Sequence, residues 1–161
     1  MMGEARTQLK NEPKKALNKT VQAHNIVMDF TQAPSTHDIE ALAAEAIEYL
    51  PFEFKKYLGD FTVQVEEFPD LDVEEELDLE SPYDQLAYYK ALHAGQTMAG
   101  VSSNKKSDDD ILILYRRPIL DLWCESEQDI KELMRGVIFQ ELGHHCGYEE
   151  EEIDRMIDES F

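Results

Sequence analysis

Near the C-terminus, the stretch FQELGHHCGYEE (139–150) sets Gln140, Glu141 and His144 within little more than one helical turn. Residues four apart share a helical face, so Gln140 and His144 can converge on one ion. Glu141 is turned from that line by about 100°, which lets its carboxylate flank the ion without binding it. Metal-assisted hydrolysis uses this arrangement: the ion acidifies a bound water and the neighbouring carboxylate takes the proton. A catalytic zinc takes three protein ligands and keeps one open position. The helix offers two, so a third must come from beyond its end. Gly143 leaves helix surface bare beside the pair, Gly147 lets the chain reverse, and Glu150 follows three residues later, placed to point back. A QExxH spacing alone arises in many acidic helices, and a lone helical histidine is commonly structural or solvated. The metal-site expectation rests on the conjunction of Glu141, Gly143, His144, Gly147 and Glu150 at the end of an apolar helix.

Gln140 is the weak member. An amide oxygen is a neutral, hard donor that suits calcium or magnesium better than zinc, which prefers imidazole. It also lacks the second ring nitrogen through which a ligating histidine is held in place. His145 points about 100° away from His144, and Cys146 faces largely elsewhere and fits a small buried residue. His24, His37 and His93 lie in unrelated segments and are expected on the surface. Arg116 and Arg117 can steer a carboxylate or, more simply, neutralise acidic surface.

The elements that must hold these residues follow from periodicity. Ser35 and Asp38 form a capping-box pattern ahead of Ile39, Leu42, Ala43, Ala46, Ile47 and Leu50, which recur at helical spacing, and Pro51 ends that helix. Phe61, Val63 and Val65 alternate with polar residues, which predicts a half-buried strand closed by Pro69. DQLAYYKAL (84–92) is compatible with a strand or a helical turn, and GQTMAGVSSNKKSDDD (95–110) is a loop in composition. ILILY (111–115) is a buried strand ended by Pro118, and its place before the site helix makes it the expected sheet edge for an extended peptide. Ser126 with Asp129 repeats the capping pattern and opens the site helix, whose core face is Ile130, Leu133, Met134, Val137 and Ile138. Gly147 caps it, and a last amphipathic helix carries Ile153, Met156 and Ile157. Helices flanking a small sheet make the fold class α+β. Residues 1–20 are expected to be a flexible tail, HNIVMDF (24–30) to lie against the domain, and 21–161 to form one domain.

The 161 residues carry 15 Lys and Arg against 35 Asp and Glu, a formal net charge of −20. Such a chain repels phosphate backbones and anionic lipid, so neither nucleic acid nor a membrane surface is an expected partner. The acid concentrates in 66–80 and 149–159, as solvated faces or as a docking surface for a basic partner. Two cysteines make no disulfide framework and fit a reducing compartment. With no apolar leader at the N-terminus, a cytoplasmic protein is expected.

The chain resembles the short bacterial zincin-like metallopeptidases, the minimal zincins, whose signature is HExxHxxGxxD. Glu141, His144 and Gly147 match that signature, and MDFTQAPSTHDIEALAAEAIEYLP, FTVQVEEFPD and LILYRRPILDLW are similar segments, so the resemblance spans roughly residues 28–158. It implies a compact zincin fold with Glu141 as general base and His144 as zinc ligand. The first ligand histidine is replaced by Gln140 and the third-ligand aspartate by Glu150. Two functions follow as expectations. One is a peptidase whose zinc is held weakly by Gln140, His144 and Glu150. The other is a non-catalytic relative that binds a peptide or protein. The oligomeric state is left open.

Overall fold

A computed structural model of the chain describes residues 32–92 and 109–160. Apart from residues 32 and 33, these belong to one compact unit, Pro34–Phe161. The expectations for 1–20, for 24–30 and for most of the 95–110 loop, with His24 and His93, lie outside the described residues. In chain order the elements are α1 (Thr36–Glu48), α2 (Phe52–Tyr57), β1 (Phe61–Glu66), α3 (Leu71–Glu76), a 3-10 turn (Pro82–Asp84), β2 (Ala87–Lys90), β3 (Asp110–Tyr115), α4 (Arg116–Glu125), α5 (Ile130–His145) and α6 (Glu150–Ser160). The α+β class expected from the sequence is the class found.

The sheet has the order β1-β3-β2, with β1 parallel and β2 antiparallel to β3. β1 alternates as its sequence predicts, with Phe61, Val63 and Val65 turned inward and Thr62, Gln64 and Glu66 outward. In β3, Leu112, Ile113, Leu114 and Tyr115 are all buried, because both edges and both faces are covered. That corrects the expectation of a free edge at 111–115. An unbroken apolar run is what a strand paired on both sides needs, and the edge belongs instead to β2. Tyr115 donates its N–H to the Leu86 carbonyl at 2.9 Å. In an antiparallel pair, bonded and non-bonded positions alternate, so Leu86 and Tyr88 face β3 while Ala87 and Tyr89 turn their main-chain groups outward.

Helix boundaries follow local chemistry. Ser35 caps α1 in a full capping box: its hydroxyl accepts from the Asp38 N–H at 3.2 Å, and Asp38 accepts from the Ser35 N–H at 2.7 Å. The second expected box is not formed. Ser126 closes α4 by donating its N–H to the Leu122 carbonyl, which leaves Asp129 as the N-cap of α5, accepting from Lys131 N–H at 2.8 Å. Pro118 does not end β3. It sits in the first turn of α4, where a missing N–H costs no helical bond.

The site helix α5 packs on α1, β2 and α6. Ile130, Met134, Ile138, Phe139 and Leu142 are 2% exposed or less. Gly147, at φ 85°, ends the helix: its N–H bonds the His144 carbonyl and the Tyr148 N–H bonds the Gly143 carbonyl, each at 3.0 Å. This double cap needs a left-handed residue, which glycine supplies without a Cβ penalty. The reversal lets α6 return along α5 and bury Ile153 against Gly143.

Candidate functional site

One face of α5 borders a cleft, with the core residues Leu133 and Val137 at its margin. The residues of this face, Glu132, Leu133, Gly136, Val137, Gln140, Glu141 and His144, recur at spacings of three and four, and the cleft they line is of about 710 Å³. The opposite wall is the segment leading from the 3-10 turn into β2, Asp84 to Ala87. α6 contributes Asp154, Ile157 and Asp158, and α4 contributes Leu122. Gln140, Glu141 and His144 thus line one cleft.

Within it Glu141, Gln140 and Asp154 have hydrogen-bond partners. Glu141 reaches across to β2, and its Oε1 accepts from the outward N–H of Tyr89 at 2.8 Å. Burial pushes its carboxyl above the usual carboxylate range, while the Tyr89 N–H and the neighbouring His144 pull it partly back. Gln140 Nε2 donates to Asp154 Oδ1 at 3.1 Å. His144 is exposed at the cleft rim. Glu150 is exposed in the first turn of α6 and is not among the cleft-lining residues; the acid that meets Gln140 is Asp154, one turn further on.

The remaining sequence candidates stand elsewhere. The His145 ring lies 4.1 Å from that of Tyr89, whose hydroxyl donates to Asp110 at 2.7 Å. Cys146 is the half-buried C-cap of α5, and burial raises its thiol. Arg116 and Arg117 both hold Glu67, at 3.1 and 3.0 Å, so they neutralise acidic surface. His37 is exposed beside Glu40.

The donor set decides what the site can hold. Catalytic zinc needs three convergent protein ligands. Among the described residues, no group of three or more His, Cys, Asp or Glu is placed to hold a metal ion. The Gln140 carboxamide turns its N–H side, not its oxygen, towards Asp154, and Glu150 is not among the cleft-lining residues. These residues do not fit a catalytic zinc.

Three participants escaped the sequence reasoning. Asp154 was legible in principle, since it adjoins Ile153 and Ile157 at the border of the apolar stripe of α6. The β2 edge left no such signal, because four residues of ambiguous type say nothing of their place in a sheet. Gly136 carries a signal of its own, since a glycine in mid-helix asks for a reason.

No curated protein matches the chain. The family model described as zincin-like metallopeptidase matches residues 58–159, more than half of the chain, which therefore belongs to that family.

Proposed function

We propose that this member of the zincin-like metallopeptidase family uses its cleft to bind an extended peptide segment of a protein and does not carry efficient zinc hydrolysis. The observation that carries the proposal is the β2 edge. Its Tyr89 N–H is turned outward and is taken by the Glu141 carboxylate at 2.8 Å, as a peptide carbonyl would take it in strand addition. The Ala87 carbonyl also faces outward and accepts from the Gln85 side-chain amide, a contact that a peptide N–H can replace. Apolar side chains of Leu86, Leu122, Leu133, Val137 and Ile157 line the cleft, and burying part of a ligand's apolar surface there supplies the driving force that edge hydrogen bonds alone lack.

Zinc binding is general in the family, and Gln140 and Glu150 are where this chain parts from the signature of the minimal zincins. A zinc site needs Gln140 replaced and the Gln140–Asp154 contact broken. One observation favours a second function, a peptidase with a weakened site: Glu141 and His144 still share the cleft. Calorimetry with a pool of extended peptides, alongside a hydrolysis assay with added zinc, separates the two. Binding without cleavage is the expected result. Zinc-stimulated cleavage by the natural chain, lost on Glu141→Gln, would overturn the proposal.

A further inference from the structure

We propose that the cleft takes a cationic side chain, Lys or Arg, of a basic peptide segment, seated over the bare backbone of Gly136 against the carboxylates of Glu132, Asp154 and Asp158. This rests on the peptide-binding function proposed above and assigns its specificity.

Gly136 is the first ground. Glycine costs a helix interior more than any residue but proline, so it stays where something needs the space. Gly143 in the same helix has such a reason within the fold, since a Cβ there would lie 2.7 Å from Ile153. Gly136 has none among the described residues: a Cβ there meets none of their atoms within 4 Å. The space it leaves opens on the cleft. The contacts of Ile153 on Gly143 and of Asp154 on Gln140 set the course of α6 along α5, and continuing it carries Ile157 and Asp158 towards Gly136.

Charge is the second ground. Among the described residues, five carboxylates line the cleft, from Asp84, Glu132, Glu141, Asp154 and Asp158, against one guanidinium, from Arg135. That guanidinium lies over the Tyr49 ring at 4.9 Å. A long cationic side chain suits the mixed lining, because its methylene stem can lie on Leu133, Val137 and Ile157 while its head meets the carboxylates. An acidic or neutral peptide gains only the stem contact or is repelled.

Fluorescence anisotropy with the full chain tests this, using labelled alanine-rich peptides that carry Arg, norleucine or Glu at one central position. The Arg peptide should bind at least about tenfold more tightly than the norleucine peptide near physiological ionic strength. Glu132→Gln with Asp158→Asn should remove that preference, Gly136→Leu should block both peptides, and Glu75→Gln on the exposed α3 should change nothing. Equal binding of Arg and norleucine peptides, both blocked by Gly136→Leu, overturns the cationic subsite and leaves the peptide cleft standing. Absence of binding by all three peptides overturns the cleft function and the subsite together. Arg-selective binding that survives every cleft variant is diffuse attraction to a chain of net charge −20, and it too overturns the subsite. If Gly136→Leu does not fold, the two exposed carboxylate variants decide the question.

Discussion

Alanine at the two glycines of α5 should move stability in opposite directions. A Cβ on Gly143 lies 2.7 Å from both Cδ1 and Cγ1 of Ile153 and 3.2 Å from Cζ of Phe54. Carbon atoms rest about 3.5–4.0 Å apart, so the overlap with two atoms approaches 1 Å. Ile153 and Phe54 are both fully buried, which leaves neither side chain room to retreat. Overpacking of this kind costs about 1–3 kcal/mol. Replacing glycine by alanine returns at most about 1 kcal/mol of helix propensity, and less in the last turn, where Gly143 stands. A net loss of about 1–2 kcal/mol is expected. At Gly136 the clash is absent and the propensity gain of about 0.8–1.0 kcal/mol stands alone.

Urea denaturation followed by far-ultraviolet circular dichroism measures both. Each kcal/mol should shift the thermal midpoint of a unit this size by about 2–8 °C. Ile153→Ala deletes both clashing carbons. It should cost about 2–5 kcal/mol in the natural chain and clearly less beside Gly143→Ala, a coupling of about 0.5–3 kcal/mol in a double-mutant cycle. If Gly143→Ala proves as stable as Gly136→Ala, the packing of α6 on α5 described above is wrong, and with it the placing of Asp154 beside Gln140.

Other expectations follow from the same contacts. Gln140→His places a second imidazole beside His144 and Asp154, so zinc at about 100 times its Kd should stabilise that variant by about 2.7 kcal/mol and leave the natural chain unmoved. Adding Asp154→Ala should abolish the response and Glu150→Ala should spare it; the reverse pattern in thermal shift would restore Glu150 as the third ligand. Ser35→Ala should cost about 1 kcal/mol near neutral pH by removing the cap of α1. Its hydroxyl, then its N–H, hold Asp38 below the usual carboxylate range, a contribution present above the unfolded value of about 3.8 and lost as pH falls through the lower folded value. The gap between Ser35→Ala and the natural chain should therefore narrow in denaturation curves below pH 3.8, and a gap that widens there would refute it. Tyr115→Phe removes a buried hydroxyl with no hydrogen-bond partner among the described residues, and should raise stability by about 1 kcal/mol in the same assay.

What was legible in the sequence is what depends on near neighbours. The Ser35 capping box, the alternation of Phe61, Val63 and Val65, the core stripe of α5 and the left-handed Gly147 each involve residues a few positions apart, and each is present. The misassignments concern partners far along the chain. ILILY reads equally well as an edge or a central strand, and only the arrival of β1 on one side and β2 on the other settles it. α4 was missed because Pro118 is a stop signal in a strand and a start signal in a first turn, and composition does not say which applies. The Glu141 contact to Tyr89 spans 52 positions, and no periodicity points across such a distance.

Gln140 can then be understood by what its neighbours require. Asp154 brings a carboxylate against a helix face that already carries Glu141, and like charges in one cleft need either a cation or N–H donors between them. A metal site supplies the cation. This chain supplies donors, the Gln140 carboxamide to Asp154 and the Tyr89 N–H to Glu141. Gln140 is therefore more than a missing ligand: it closes a hydrogen-bond set that holds the two carboxylates without an ion. Hydrogen bonds from neutral donors stabilise a carboxylate less than full charge neutralisation does, so the cleft keeps a residual demand for positive charge. The basic peptide proposed above would meet that demand from outside, so Gln140 and the acidity of the cleft argue for the same kind of partner.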